Sequence, residues 1–101
     1  MSSRALPFKH KTVLVTGAGQ NTGLGIATLF AKAGAKVLVN DVSPDRVTEA
    51  VGSLRRQGLK NVIGLPADIS VAEEVEAMFG VIKSSVKRLD VLVNNAAHLG
   101  V

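Results

Sequence analysis

Short apolar runs alternate with amphipathic stretches along this chain. Thr12-Val13-Leu14-Val15-Thr16 has no polar alternation, which suits a strand covered on both faces rather than one with a wet side. From Thr22 to Ala33 the residues Ile26, Leu29, Phe30 and Ala33 recur at helical spacing and predict a buried stripe. Gly34 stands where a glycine ends a helix. Lys36–Asn40 predicts a second strand through Val37, Leu38 and Val39. Ser43-Pro44 then supplies an N-cap and a proline suited to the first helical turn. Val47, Ala50, Val51 and Leu54 predict the inner face of a helix running to Gln57, with Gly58 as its stop. A third strand is expected near Asn61–Leu65, weakened by Gly64 and Pro66. Ala67-Asp68-Ile69 reads as a loop, and Ser70-Val71-Ala72-Glu73 has the form of a capping box. The helix that follows reaches Val86, with Val75, Met78, Phe79 and Ile82 inward. A fourth strand, Leu89–Val93, runs into Asn94-Asn95-Ala96-Ala97.

Helices alternating with short apolar strands call for right-handed crossovers and a parallel sheet with helices on its faces. Residues 1–11 read as a polar lead-in with Lys9, His10 and Lys11 facing solvent, and residues 12–101 as one structural unit. The chain of 101 residues has room for one small core. Its 47% hydrophobic content marks a globular chain rather than a disordered one. The net charge is +4, but the lysines and arginines are scattered. Without a basic stripe, and with aromatic residues at 3%, nucleic acid is not an expected partner. The absence of cysteine rules out disulfides and thiolate metal sites and is compatible with a reducing cytoplasm. No metal site is expected. No apolar run has the length of a signal-peptide core or a membrane span, so a soluble cytoplasmic protein is the expectation.

The chemistry is concentrated at one turn, Thr16-Gly17-Ala18-Gly19-Gln20-Asn21-Thr22-Gly23-Leu24-Gly25, between the first strand and the first helix. A helix start offers unpaired N–H groups and a partial positive charge, where an anion fits. Gly17 allows a tight turn, and Gly23 lets a pyrophosphate approach the backbone. The strict G-x-G-x-x-G pattern fails because Thr22 takes the last glycine's place, and no Gly-Lys-Ser/Thr follows for an NTPase loop. Glycine also serves ordinary strand-to-helix turns, so the turn by itself leaves both readings open. Asp41 closes the second strand roughly 20 residues further on, where an acid accepts from adenosine ribose hydroxyls and disfavours the extra phosphate of NADP. Asp68 follows the third strand on the same edge; it is either an adenine-side acceptor or a turn residue. Asn94-Asn95-Ala96-Ala97 follows the fourth: its amides can tie strand ends together, its small residues leave room for a nicotinamide ribose, and it can equally be a polar turn. Arg46 is expected to be solvated, and His10 and His98 have no assigned chemistry.

Taken together these residues resemble the short-chain dehydrogenase/reductase family, whose phosphate turn reads Thr-Gly-x-x-x-Gly-x-Gly. Thr16 to Gly23 stand in that place, with Asn21 for one glycine, a residue that tolerates the left-handed conformation. Asp41 matches the acid of NAD-preferring members, Asp68-Ile69 the adenine-side pair, and Asn94-Asn95-Ala96-Ala97 the Asn-Asn-Ala-Gly motif with Ala97 for glycine. The resemblance implies a Rossmann-type doubly wound parallel α/β sheet, here its first four strands in the order 3-2-1-4. The cofactor is then NAD. The implied contacts are Gly17, Gln20, Asn21, Thr22 and Gly23 in the turn, Asp41 and Val42, Asp68 and Ile69, and Asn95, Ala96 and Ala97.

In the family, catalysis comes from an asparagine, a serine and a Tyr-x-x-x-Lys unit beyond the fourth strand. This chain contains no tyrosine, so no catalytic residue is assigned to it. The resemblance implies the NAD-binding half of an alcohol/carbonyl oxidoreductase, inactive until completed and often tetrameric. The apolar fourth strand at a sheet edge fits the same expectation, that a further segment or second chain completes the fold. The alternatives are a non-catalytic nucleotide-binding or regulatory module, and a methyltransferase-like nucleoside binder, which commonly carries an acid where Thr16 stands.

Overall fold

The structure, a computed structural model, describes residues 6–96. The elements alternate: β1 (Thr12–Val15), α1 (Asn21–Lys32), β2 (Lys36–Asp41), α2 (Pro44–Arg56), β3 (Val62–Pro66), α3 (Ala72–Ser85) and β4 (Val91–Val93). All strands pair in parallel, as the pattern predicts, in the order β3-β2-β1-β4 that the resemblance implies. Every carboxyl end therefore reaches the same edge of the sheet.

The central strands β1 and β2 are covered on both faces. Val13, Val15, Val37 and Val39 pack with Ala27 of α1 and with Ala50 and Leu54 of α2. The alternate residues Leu14 and Leu38 face the other way, against Leu65, Met78 and Ile82, the last two from α3. Gly64 earns its place in β3, since a Cβ there would stand 2.5 Å from Val47 Cγ1. The gap lets α2 close on the sheet. Pro66 is tolerated because β3 is an edge strand. Gly34 and Gly58 both have positive φ just beyond α1 and α2, as expected of helix-ending glycines.

Three expectations need correction. Leu29 is 69% exposed and Phe79 is 40% exposed. α1 instead buries Gly23 and Ala27. Small residues let the helix sit low on the sheet, and Leu29, two residues beyond Ala27, projects roughly 200° around the helix axis from it. The capping box is not formed, because α3 has Val71 at its N-cap and no side-chain cap. Ser70 is drawn backwards instead: its N–H and hydroxyl both donate to Asp68 Oδ1, at 2.9 and 2.6 Å. Glu74, not Glu73, reaches back, accepting from the Asp68 N–H at 2.8 Å.

Residues 6–11 are tied to the end of α1. Phe8 meets Phe30 edge-on with ring centroids 5.0 Å apart, and its N–H donates to Ala33 at the end of α1. His10 is exposed, as expected, while Lys11 is half-buried.

Candidate nucleotide site

The turn after β1 takes its shape from two left-handed residues. Gly17 has φ 63° and Asn21, the first residue of α1, has φ 54°. Asparagine is one of the few side chains that sits there at modest cost, so its substitution for glycine leaves the turn intact. Gly17 also lies against the loop after β4, where a Cβ would come within 2.9 Å of Ala96 Cα.

Gly23 also has a packing use that the sequence did not reveal. A Cβ there would run into the carbonyl oxygen of Gly17 and come within 2.6 Å of the Asn95 side-chain nitrogen. The missing side chain makes room for the turn and for Asn95. What α1 offers an anion is its start. Gln20 at the N-cap makes no side-chain cap, and the first turn holds no acid. The N–H groups of Asn21, Thr22 and Gly23 have no acceptor among the described residues. An uncapped helix start of this kind favours negative charge.

Asp41 ends β2 and is 5% exposed. Its Oδ2 accepts from the Gly19 N–H at 3.0 Å. Its Oδ1 accepts from the Ser43 N–H at 3.1 Å and from Arg46 Nε at 3.3 Å. A carboxylate offers about four lone-pair sites, so Oδ2 keeps one beyond its bond to Gly19. Two participants went unread in the sequence. Gly19 packs so close that a Cβ would stand 2.6 Å from Asp41 Oδ2. Arg46, expected in solvent, folds back from α2 onto the carboxylate with its side chain 42% exposed.

The loop after β4 is tied down by Thr16, whose hydroxyl oxygen accepts from the N–H groups of Asn95 at 3.0 Å and Ala96 at 3.1 Å. The same hydroxyl lies 3.1 Å from Asn94 Oδ1, to which it donates. Asn95 Nδ2 donates to the Gly17 carbonyl at 3.2 Å, so an asparagine amide does join two strand ends. Asn40 plays the matching part on the other side. Only 1% exposed, it donates through Nδ2 to the carbonyls of Leu65 and Ala67 at 2.9 and 3.2 Å. A polar residue closing an apolar strand was the available signal for it.

These elements surround a hollow of about 500 Å³ at the carboxyl edge. Of the expected contacts, Gly17, Gln20, Asn21, Thr22, Gly23, Asp41, Val42, Asp68, Ile69, Asn95 and Ala96 all line it; Ala97 lies outside the described residues. Arg46, Asn40, Ala67 and Ser70 line it as well. The volume is in the range of ordinary small-ligand and cofactor sites.

A parallel sheet with helices on both faces and a hollow at its carboxyl edge, where the strand order reverses beside β1, defines a doubly wound α/β protein. The chain belongs to the short chain dehydrogenase family, which residues 11–101 match. It is 34% identical over 86 residues to the 5-keto-D-gluconate 5-reductase of Escherichia coli K12, covering 85% of this chain and 34% of that protein. L-sorbose reductase from Gluconobacter frateurii, solved with NADPH and L-sorbose, superposes with a TM-score of 0.86 at 33% identity, covering 94% of this chain and 36% of that one. The 3-ketoacyl-(acyl-carrier-protein) reductase of Brucella melitensis, solved with NADH, gives a TM-score of 0.80 at 34% identity, covering 88% of this chain and 35% of that one. The chain spans about one-third of the length of the Escherichia coli relative and 55% of that of a short chain dehydrogenase/reductase from Macrophomina phaseolina. No helix among the described residues is long and apolar enough to cross a membrane.

Proposed function

We propose that this chain holds the cofactor of an NAD-dependent oxidoreductase acting on an alcohol/carbonyl pair. The observation that carries the proposal is one juxtaposition. Three helix-start N–H groups without acceptors among the described residues and a buried carboxylate at the next strand's end line the same hollow. The donor set suits a dinucleotide. Asn21, Thr22 and Gly23 bind the diphosphate through their N–H groups, with no side chain competing at the N-cap. The free lone pair of Asp41 Oδ2 accepts from the adenosine ribose. Asp68 and Ile69 border the adenine, and Asn95 and Ala96, fixed by Thr16, border the nicotinamide ribose. Nicotinamide, when bound, supplies the acceptor or donor of hydride.

NAD is favoured over NADP because a ribose phosphate would meet the charge of Asp41 at close range. Arg46 tempers that preference. The nearest cation to the carboxylate, it is held only by a bond at 3.3 Å and a partly exposed ion pair.

The proton-transfer residues come from outside this chain, which has no tyrosine to supply the family's Tyr-x-x-x-Lys unit. We place the completed enzyme in the cytoplasm as a homo-oligomer, with β4 no longer at the sheet edge. The lack of tyrosine favours one second reading, a non-catalytic nucleotide-binding module. A complementing polypeptide that carries Tyr-x-x-x-Lys and restores turnover would remove it. Calorimetric titration with NAD, NADP and S-adenosylmethionine tests the cofactor assignment. NAD binding most tightly is expected; tighter binding of NADP or of S-adenosylmethionine would overturn it.

A further inference from the structure

The charges that look scattered along the sequence are sorted by the fold. In a parallel sheet with helical crossovers, strand starts and helix ends share one edge, and strand ends and helix starts share the other. Among the described residues, every lysine and arginine except Arg46 precedes a strand, opens one, or lies in the last turns of a helix or just after it. Every carboxylate except Asp90 lies at a strand end or in the first two turns of a helix. The amino edge of the sheet is therefore strongly basic, and the carboxyl edge, which carries the nucleotide hollow, is acidic.

At the amino edge, between the starts of β1 and β2, lies a second hollow of about 370 Å³. Lys9, His10, Lys11, Lys36 and Asn61 line it. None of the three lysines forms an ion pair among the described residues. Asp90, the one acid on this edge, is already engaged: Arg88 Nε lies 2.7 Å from Oδ1, and the Thr12 N–H donates to Oδ2 at 2.8 Å. Its charge reaches Lys11 through space but does not pair with it. Three lysines thus border one concavity at an edge of the same sign. Three like charges sharing one distant and already paired counter-charge repel one another, and a multivalent anion relieves that repulsion.

We propose that this amino-edge hollow is a binding site for a multivalent oxyanion of the phosphate class, separate from the nucleotide hollow and at the opposite edge of the sheet. Lys9, Lys11 and Lys36 supply charge-assisted hydrogen bonds to the phosphate oxygens, and the Asn61 amide can donate beside them. The anion is either a soluble phosphoryl compound or the headgroup of a phosphorylated lipid. The recognising chemistry is the same for both.

The test is titration of the ¹⁵N-labelled chain with inorganic pyrophosphate, read as amide shifts, with Lys9→Gln/Lys36→Gln alongside. Both lysines can be neutralised without opening a cavity, and an unchanged thermal midpoint establishes that the variant folds. We expect saturable shifts at Lys11, Lys36 and Asn61, weakened about tenfold or more in the double variant. A parallel arm uses vesicles of phosphatidylcholine with and without a phosphoinositide. Vesicle binding that depends on the phosphoinositide and is lost in the variant assigns the phosphate to a lipid. Pyrophosphate binding without vesicle binding assigns it to a soluble ligand. Shifts confined to Gly17–Gly23, binding that survives the double variant, or no binding in either arm would overturn the proposal. None of these results bears on NAD at the other edge.

Discussion

Replacing Thr16 by valine isolates the contribution of one hydroxyl to the geometry of the site. Valine keeps the volume and β-branched shape of threonine, so the buried position, 4% exposed, stays filled. What is lost is an acceptor for two N–H groups, those of Asn95 at 3.0 Å and Ala96 at 3.1 Å, and a donor to Asn94 at 3.1 Å. A net intramolecular hydrogen bond contributes about 1 kcal/mol. Asn94 is exposed and its oxygen turns to water without loss, whereas Asn95 and Ala96 are half-buried and solvate incompletely. The expected destabilisation is therefore about 2 kcal/mol, near the sum of the two bonds accepted by Oγ1. With a urea m-value of about 1–2 kcal/mol/M for a domain of this size, the midpoint falls by roughly 1–2 M. Thr16→Ser keeps the hydroxyl and should lose less than half as much. Urea denaturation followed by circular dichroism measures both, and amide exchange reports faster opening at Asn95 and Ala96. Equal stability of Thr16→Val and wild type, or a serine variant as weak as the valine one, would refute the reasoning.

Other substitutions separate the roles of the glycines, the cation and the acids. Gly23→Ala forces a methyl group into the Gly17 carbonyl and should cost about 2–3 kcal/mol, whereas Gly25→Ala, on the same helix with open space around it, should stabilise by up to about 1 kcal/mol; paired urea melts give both signs. Arg46→Gln should weaken NADP about tenfold while leaving NAD within a factor of about three, since only the former needs the cation; calorimetry that found NADP tightened would contradict this. The Thr12 N–H, and with it Arg88, holds the Asp90 carboxyl below its ordinary value against the opposing effect of desolvation. A carboxyl lowered on folding stabilises fully above its unfolded value of about pH 4, and that stabilisation fades as pH falls through the lower folded value. The stability gap between wild type and Asp90→Asn should therefore be constant near neutrality and close in acid; a gap that widens below pH 4 would show that Asp90 does not act through its charge.

Element type and order were legible because each strand carries an apolar run and the first two helices are punctuated. Gly34 and Gly58 stop α1 and α2 in the left-handed conformation, and Ser43 caps α2 by accepting from the Arg46 N–H at 3.2 Å. The inward faces of α1 and α3 were less legible. Periodicity locates a stripe, but the depth of a helix depends on its smallest residues, and Gly23 and Ala27 moved the contact away from Leu29. The positions of Asp41 and of Asn94 to Ala96 at the carboxyl edge follow from their being strand-ending residues in a parallel sheet. What held them did not follow. The Arg46 ion pair, the Gly19 bond and the Thr16 hydroxyl join residues far apart in sequence or turned back on themselves, and no local pattern encodes them. The two charged edges were hidden for the same reason: each basic residue looked isolated until the crossovers brought strand starts and helix ends together.

The account turns on where a dinucleotide sits. A crystal structure of the chain grown with NAD measures this directly. The account predicts diphosphate density against the N–H groups of Asn21, Thr22 and Gly23, with the adenosine ribose on Asp41 Oδ2. Density for NAD at any other position, with that corner open, would contradict it.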